Sequence, residues 1–302
     1  MKCYYYPGCS QKATSRCYDV ALSLVTKTLG IDFIEIPDWS CCGTTVAINY
    51  GKRLSLSLSA RNLALAQGLA KKDGTEDISV VTPCPSCHIS LRKVNEVFED
   101  KNPESINLTK DVKEALQEGG LSYEGRMKAR HICEYLLNDV GLDAIKNTVK
   151  NPLAGLRIVP YYGCLMTRPK TEGDSAVDPQ NLEKLIVALG GEVVNFPLKT
   201  ACCGSATMVS CKTPAMNLSN EILSAAKTLG GDVVMVACGL CQTNLDLATN
   251  VQNKIPVMNF AQLMAIAFGF KEKQVLAQKI DKAQPRSHEH QEQAATAIEG
   301  GN

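Results

Sequence analysis

Apolar residues recur along this chain in two alternating periods, and a cysteine-bearing loop sits at most of the changes. Tyr4 to Tyr6 is a short β-prone run that ends at Pro7-Gly8 and delivers Cys9 at a turn. From Ala13 to Leu29 the positions Cys17, Val20, Ala21, Leu24, Val25 and Leu29 repeat at three- and four-residue spacing, predicting an amphipathic helix stopped by Gly30. Ile31 to Ile36 alternates as a strand ended by Pro37, ahead of a loop holding Trp39, Cys41, Cys42 and Gly43. A helix over Leu54 to Ala70, with Asp73-Gly74 as breakers, precedes a strand at Ile78 to Thr82. The loop Pro83-Cys84-Pro85-Ser86-Cys87 and a helix through Leu91 and Val94 follow at once.

The second half repeats the order. Arg157 to Tyr161 reads as a strand leading to Gly163-Cys164, Asn181 to Leu189 as a helix closed by Gly190-Gly191, and Val193 to Phe196 as a strand before Pro197. The helix from Ala215 to Leu229 precedes a strand at Asp232 to Val236 and then Cys238-Gly239-Leu240-Cys241. A strand at Ile255 to Met258 and a helix at Phe260 to Phe270 complete it. Counterpart cysteines are separated by 155 (9 to 164), 161 (41 to 202, 42 to 203) and 154 (84 to 238, 87 to 241) residues, the mark of an internal repeat with small insertions.

These elements predict an α/β fold of two pseudo-symmetric repeats. Each is a small, mostly parallel sheet flanked by helices, with its cysteine loops at the carboxyl ends of the strands, where such sheets place ligands. The expected boundaries are a first repeat over 1–100, a helical connector over 101–153 in which Met127 to Val140 has helical spacing, a second repeat over 154–270 and a flexible tail over 271–302.

Composition narrows the function. Lys and Arg (32) balance Asp and Glu (31) with no long block of like charge, which gives no footprint for nucleic acid or a polybasic membrane contact. No apolar run reaches the length of a membrane span, so direct membrane insertion is not expected. The first residues lack the apolar core of a secretory signal. Fourteen cysteines in 302 residues are too sparse for a disulfide scaffold and too clustered for chance, so metal binding in the reducing cytoplasm is the expectation.

Each repeat offers five cysteines: Cys9, Cys41, Cys42, Cys84 and Cys87, then Cys164, Cys202, Cys203, Cys238 and Cys241. A zinc ion or an ordinary cubane cluster takes four. Adjacent cysteines tend to diverge, which suits separate or bridged irons better than one tetrahedral ion. Two structural zinc sites using four of each five, or a thioredoxin-like dithiol at either Cys-x-x-Cys, are the competing readings.

The doubled register, with Tyr6-Pro7-Gly8-Cys9 and Tyr162-Gly163-Cys164, resembles the cysteine-rich CCG family and, over residues 3 to 265, the family of heterodisulfide reductase B subunits. The resemblance implies a non-cubane 4Fe-4S cluster on each five-cysteine set, the two clusters together cleaving a disulfide (CoM-S-S-CoB or a bacterial counterpart) to two thiols. It also implies two partners, a ferredoxin-like iron-sulfur subunit of the C type and a flavin-bearing subunit of the A type. The chain itself has no Gly-x-Gly-x-x-Gly and no P-loop, so no flavin or nucleotide is expected on it. Two positions depart from the family pattern: the stretch between Cys42 and Cys84 is longer than usual, and Leu165 follows Cys164 where methanogen members often carry histidine. An electron-relay subunit serving fumarate, succinate, lactate or quinone chemistry is the alternative, and a zinc-stabilised interaction module a further one.

Arg168, Lys199 and Lys212 are the cations nearest the cysteine loops and the candidates for holding an anionic substrate. His88 follows Cys87 and offers either a donor to a cluster sulfur or a helix-capping or partner-facing imidazole. Cys17 and Cys133 read as core thiols, Cys3 and Cys211 have no assigned role, and His288 and His290 in the tail are too isolated to bind metal.

Overall fold

The computed structural model describes residues 1–75, 79–169, 174–248 and 255–275. Its strands are β1 (Lys2–Tyr5), β2 (Asp32–Glu35), β3 (Ser79–Thr82), β4 (Lys128–His131), β5 (Arg157–Tyr161), β6 (Glu192–Val193), β7 (Val233–Val236) and β8 (Val257–Asn259). They form two four-stranded sheets of the same order, β2-β1-β3-β4 and β6-β5-β7-β8, and every pairing is parallel. In each sheet the chain leaves its first strand toward one edge and returns on the other side. The switch therefore falls between β1 and β3, and between β5 and β7. Open α/β sheets bind ligands in the crevice at that point, beyond the carboxyl ends of the strands.

The helices are α1 (Arg16–Thr28), α2 (Lys52–Lys72), α3 (Pro85–Glu99), α4 (Pro103–Glu118), α5 (Ile132–Tyr135), α6 (Leu142–Thr148), α7 (Asn181–Ala188), α8 (Lys212–Thr228), α9 (Gly239–Leu247) and α10 (Phe260–Ala267). The apolar stripe of α1 packs on α10 of the other repeat, with Tyr18 meeting Phe260 edge to face at 5.6 Å. One core thus runs through the seam between the sheets, drawing Tyr18, Leu22 and Val25 from the first repeat and Leu185, Ile186, Phe260 and Met264 from the second. Each repeat keeps a separate core on its outer face, and those cores include Cys42, Cys84 and Cys87 on one side and Cys203, Cys238 and Cys241 on the other. Burial of these apolar side chains is the main term holding the repeats together.

The stretch beginning at Met127, whose spacing predicts helix throughout, starts instead as β4, paired in parallel with β3. The helix begins only at Ile132. β4 is an edge strand that reads Lys-Ala-Arg-His, and its charged positions hide the strand period, whereas the counterpart β8 is apolar and legible. Arg130 of β4 is held by Asp139 at 2.9 Å and by Glu134 at 3.5 Å, which ties the edge strand to the helix that follows. Ile78, at the start of the strand expected before Cys84, and most of the expected tail, with His288 and His290, lie outside the described residues.

Candidate metal centres

The two switch points place the cysteines. β1 ends at Tyr5, and Pro7-Gly8 turns the chain so that Cys9 stands over the carboxyl edge; β5 does the same for Cys164 through Tyr162-Gly163. Both glycines have left-handed backbones, φ +73° at Gly8 and +70° at Gly163. A Cβ at Gly8 would lie 2.9 Å from Cys87 Sγ, and one at Gly163 would lie 3.0 Å from Cys241 Sγ. The turn that carries the lone cysteine is therefore pressed against the last sulfur of the Cys-x-x-Cys.

Cys84 and Cys238 are the N-cap residues of α3 and α9, both in extended conformation, so Cys87 and Cys241 fall in the first helical turn. Helix N-termini present free N–H groups and favour thiolate. The members of each adjacent pair differ in exposure, Cys42 and Cys203 being buried and Cys41 and Cys202 exposed, although in the first pair the two sulfurs still interact. Each exposed member has its sulfur 3.5 Å (Cys41) or 3.4 Å (Cys202) from the backbone N–H of the glycine that follows the pair. Each buried member has its carbonyl held by a serine hydroxyl at 2.9 Å, from Ser59 of α2 to Cys42 and from Ser219 of α8 to Cys203.

The sulfurs converge. Cys41 Sγ lies 3.9 Å from Cys9 Sγ, and Cys203 Sγ lies 3.4 Å from Cys241 Sγ. The buried ring of Tyr6 feels Cys87, Cys42, Cys41 and Cys9; Tyr161, its counterpart, feels Cys241, Cys203, Cys202 and Cys164. Burial and then these sulfurs push both phenols above their ordinary range, and both hydroxyls donate to the loop ahead of the cysteine pair, Tyr6 to Ser40 O at 2.7 Å and Tyr161 to Ala201 O at 2.8 Å.

Sharing hydrogen bonds among so many thiols divides them. Cys84 is brought down to about 7, first by Cys87 and against the effect of burial, and Cys203 to about 6, first by Cys241. Cys9 is pushed up, first by its bond with Cys41, and Cys87 and Cys241 rise, first through Cys42 and Cys203. A set of sulfurs that repel one another's charge calls for cations among them. Among the described residues no group of three or more His, Cys, Asp or Glu side chains is arranged to hold a single metal ion. Five soft sulfur donors in each repeat, with close contacts such as Cys9 to Cys41 and Cys203 to Cys241, fit a multi-iron sulfide core.

The expected substrate cations fare unequally. Arg168 is exposed and donates to Thr200 Oγ1 at 3.2 Å, and Lys212 is exposed in the first turn of α8. Lys199, contrary to that expectation, has its ammonium buried, donating to Pro179 O at 2.7 Å and to Glu183 at 2.8 Å and pairing with Asp178, which leaves no free charge for a substrate. It is the Lys199 carbonyl that serves the site, accepting from Tyr162 N–H at 2.8 Å and Gly163 N–H at 3.1 Å and so fixing the Cys164 turn. Cys133 is a core thiol as expected, while Cys17 is half-buried at 3.9 Å from Gln242 Oε1; Cys3 is buried and Cys211 exposed.

His88 neither caps a helix nor faces solvent. It is buried beside His131, with ring centres 6.3 Å apart. His131 caps α5: its Nδ1 accepts from Cys133 N–H at 3.2 Å, which leaves Nε2 to carry the proton given to Pro83 O at 3.1 Å. Burial brings His131 down to about 4 from an ordinary 6.5. Between those values the unfolded chain binds a proton that the folded chain refuses, so stability is full above pH 6.5 and declines as pH falls toward 4, by up to about 1.4 kcal/mol per pH unit. Asn259 caps α10 at the matching place. His131→Asn should therefore keep the cap and flatten the decline, as read from urea midpoints across that range; His88, lowered to about 3 chiefly by burial, leaves a residual slope.

Pattern reading overlooked the residues that join the centres. Tyr18 OH reaches Ala237 O at 3.5 Å, and Ser15 and Gln11 sit against Gly239, between Cys238 and Cys241. A Cβ at Gly239 would lie 2.4 Å from Ser15 Oγ and 2.6 Å from Ser15 Cβ. Gly239→Ala is expected to destabilise the fold by about 1–3 kcal/mol through this overpacking. Adding Ser15→Gly should restore most of the loss in a double-mutant cycle of denaturant midpoints, since Ser15 makes no side-chain capping bond.

The sequence pattern of the CCG cysteine-rich domain matches residues 3–92 and 158–246. The 8-methylmenaquinol:fumarate reductase membrane anchor subunit of Wolinella succinogenes is 28% identical over 280 residues, 90% of this chain and 93% of that protein. The B subunit of the ferredoxin/F(420)H(2)-dependent CoB-CoM heterodisulfide reductase of Methanosarcina acetivorans is 30% identical over 279 residues, 88% of this chain and 85% of that protein. A crystal structure of a hypothetical protein from Helicobacter pylori shares the fold, with TM-score 0.67 at 17% identity over 91% of this chain and 50% of that one.

Proposed function

Since this chain belongs to the CCG cysteine-rich family and to the branch formed by the B subunits of heterodisulfide reductases, we propose that it is the disulfide-cleaving subunit of a heterodisulfide reductase-like complex. The observation that carries the reading is the pair of equivalent five-sulfur sites, with the turn after Cys9 packed on the Cys-x-x-Cys of the second site. Cys9, Cys41, Cys42, Cys84 and Cys87 would hold one non-cubane 4Fe-4S cluster, and Cys164, Cys202, Cys203, Cys238 and Cys241 the other. When bound, each cluster supplies one electron and an iron able to take one thiolate.

The chain's own groups do the rest. Gly43 and Gly204 N–H groups stabilise charge on Cys41 and Cys202, and the buried members of each pair, together with both Cys-x-x-Cys turns, keep water from the inner sulfurs. Cleaving a disulfide consumes two electrons and two protons and yields two thiols. The electrons come singly from a ferredoxin-like partner of the C type, with a flavin-bearing partner of the A type behind it. Arg168 and Lys212 are exposed, close in sequence to the second centre's cysteines, and suit a substrate that carries sulfonate, phosphate or carboxylate. Among the described residues no helix is long and apolar enough to cross a membrane, so a membrane partner would be reached through another protein of the complex.

The Wolinella relative supports a second reading, in which the same two clusters relay electrons within a fumarate or quinol-linked complex. Turnover with reduced viologen separates the two. The anaerobically loaded chain should reduce a CoM-CoB-type heterodisulfide or a bacterial low-molecular-weight counterpart. A fully loaded chain that reduces none of them would favour the relay.

A further inference from the structure

Gln11 is wholly buried, yet neither the Nε2 nor the Oε1 of its amide has a hydrogen-bond partner, and the buried Ser15 hydroxyl is left in the same state. Buried amides without partners lose their hydration for no return, and each one in a folded protein calls for a further group to complete the bond. Both side chains face the second repeat. Gln11 Nε2 lies 3.5 Å from where a Cβ of Gly239 would stand, and Gly239 opens α9 between Cys238 and Cys241. Two residues after Cys9 of the first centre, the chain thus buries an unspent N–H donor against the turn that carries Cys238 and Cys241 of the second.

The repeat offers its own comparison. The 155-residue offset that relates Cys9 to Cys164 relates Gln11 to Met166. Met166 lines a small cavity with His88, His131 and Tyr162 on the first repeat's side of the seam. A thioether has no N–H to give. The two centres share their cysteines, glycine turns and serine props, but differ in this donor.

We propose that Gln11 donates its amide N–H to a sulfur of the second centre across the seam, so that the two centres differ in reduction potential, the second being the higher. Hydrogen bonds to cluster sulfur offset the negative charge gained on reduction and so raise the potential. An electron entering the chain then settles first on the Cys164 set, and the disulfide is met by two unequal donors. The inference rests on the cluster reading above.

The test is an anaerobic redox titration of the loaded full-length chain, followed by electron paramagnetic resonance, with Cys238→Ser used to identify the second centre's signal. Gln11→Met, which copies the second repeat, should shift the second centre's midpoint downward, leave the first in place and keep the iron content unchanged. It should also remove an exchangeable-proton coupling from the second signal. Met166→Gln should shift the first centre's midpoint upward. If Gln11→Met fails to load, Gln11→Asn, whose shorter side chain withdraws the N–H, carries the same measurement. Unchanged midpoints in loaded variants, or a shift at the first centre only, would overturn the proposal. A wild-type chain that takes up no iron would instead overturn the cluster reading itself.

Discussion

Alanine in place of Gly204 is expected to strip the second centre of its metal while the first stays loaded. Gly204 has φ +84°, and a Cβ there would stand 2.7 Å from the Cα of Ala215 and 3.1 Å from its carbonyl oxygen. Left-handed strain of this kind costs about 1–3 kcal/mol by itself, and the atoms struck belong to the backbone of α8, which cannot step aside without moving the helix. The loop would shift instead, taking Cys202 and Cys203 with it and breaking the N–H contact to Cys202. The first repeat supplies the control. Gly43 has nearly the same φ, +79°, but its Cβ would meet side-chain atoms of Ala47 and Leu58 at 3.0 Å. Leu58 can turn away, and the fixed atoms left, Ala47 Cβ at 3.0 Å and Ser55 Cα at 3.4 Å, are farther off than Ala215 Cα at 2.7 Å, so Gly43→Ala should lose less metal from its centre than Gly204→Ala loses from the other. Iron per chain and the residual spectrum of each variant check the order.

Cys203→Ser is expected to have the largest effect on turnover. Cys203 is buried, its sulfur touches Cys241 at 3.4 Å, and its carbonyl is held by both Ser219 and Asn244. Serine keeps the backbone frame while replacing a soft thiolate with a hard hydroxyl that iron holds poorly. About half the iron should remain, since the first centre has its own ligands and its own outer core. Disulfide reduction should fall by more than about a hundredfold, beyond the loss usual when a group behind the ligands is changed. Half the iron with near-normal turnover would mean that one centre suffices and that the symmetry has no part in the reaction.

Much of this arrangement is legible in the sequence because the cysteines impose their own register on a simple period. Strand, loop and helix succeed each other with little ambiguity where the strands are apolar, as at β3, β5 and β7, and the doubled spacing reveals two parallel sheets. Legibility fails where charge masks period, as in Lys-Ala-Arg-His of β4, and where a side chain's role depends on a partner far along the chain. Lys199 looks like a free cation beside a cysteine loop, yet Asp178 and Glu183 have claimed it. Gln11 and Ser15 look like loop polarity, yet they are buried against Gly239, more than two hundred residues on. Ser59 and Ser219 were within reach of the repeat: each bonds a cysteine carbonyl 17 or 16 residues behind it, a match visible only once the Cys-Cys pairs are superposed.

Metal and sulfide analysis of the anaerobically purified chain tests the central claim most directly. Two 4Fe-4S clusters on ten cysteines require about eight iron and about eight acid-labile sulfide per chain, with negligible zinc. About two zinc per chain, with neither iron nor sulfide, would contradict it.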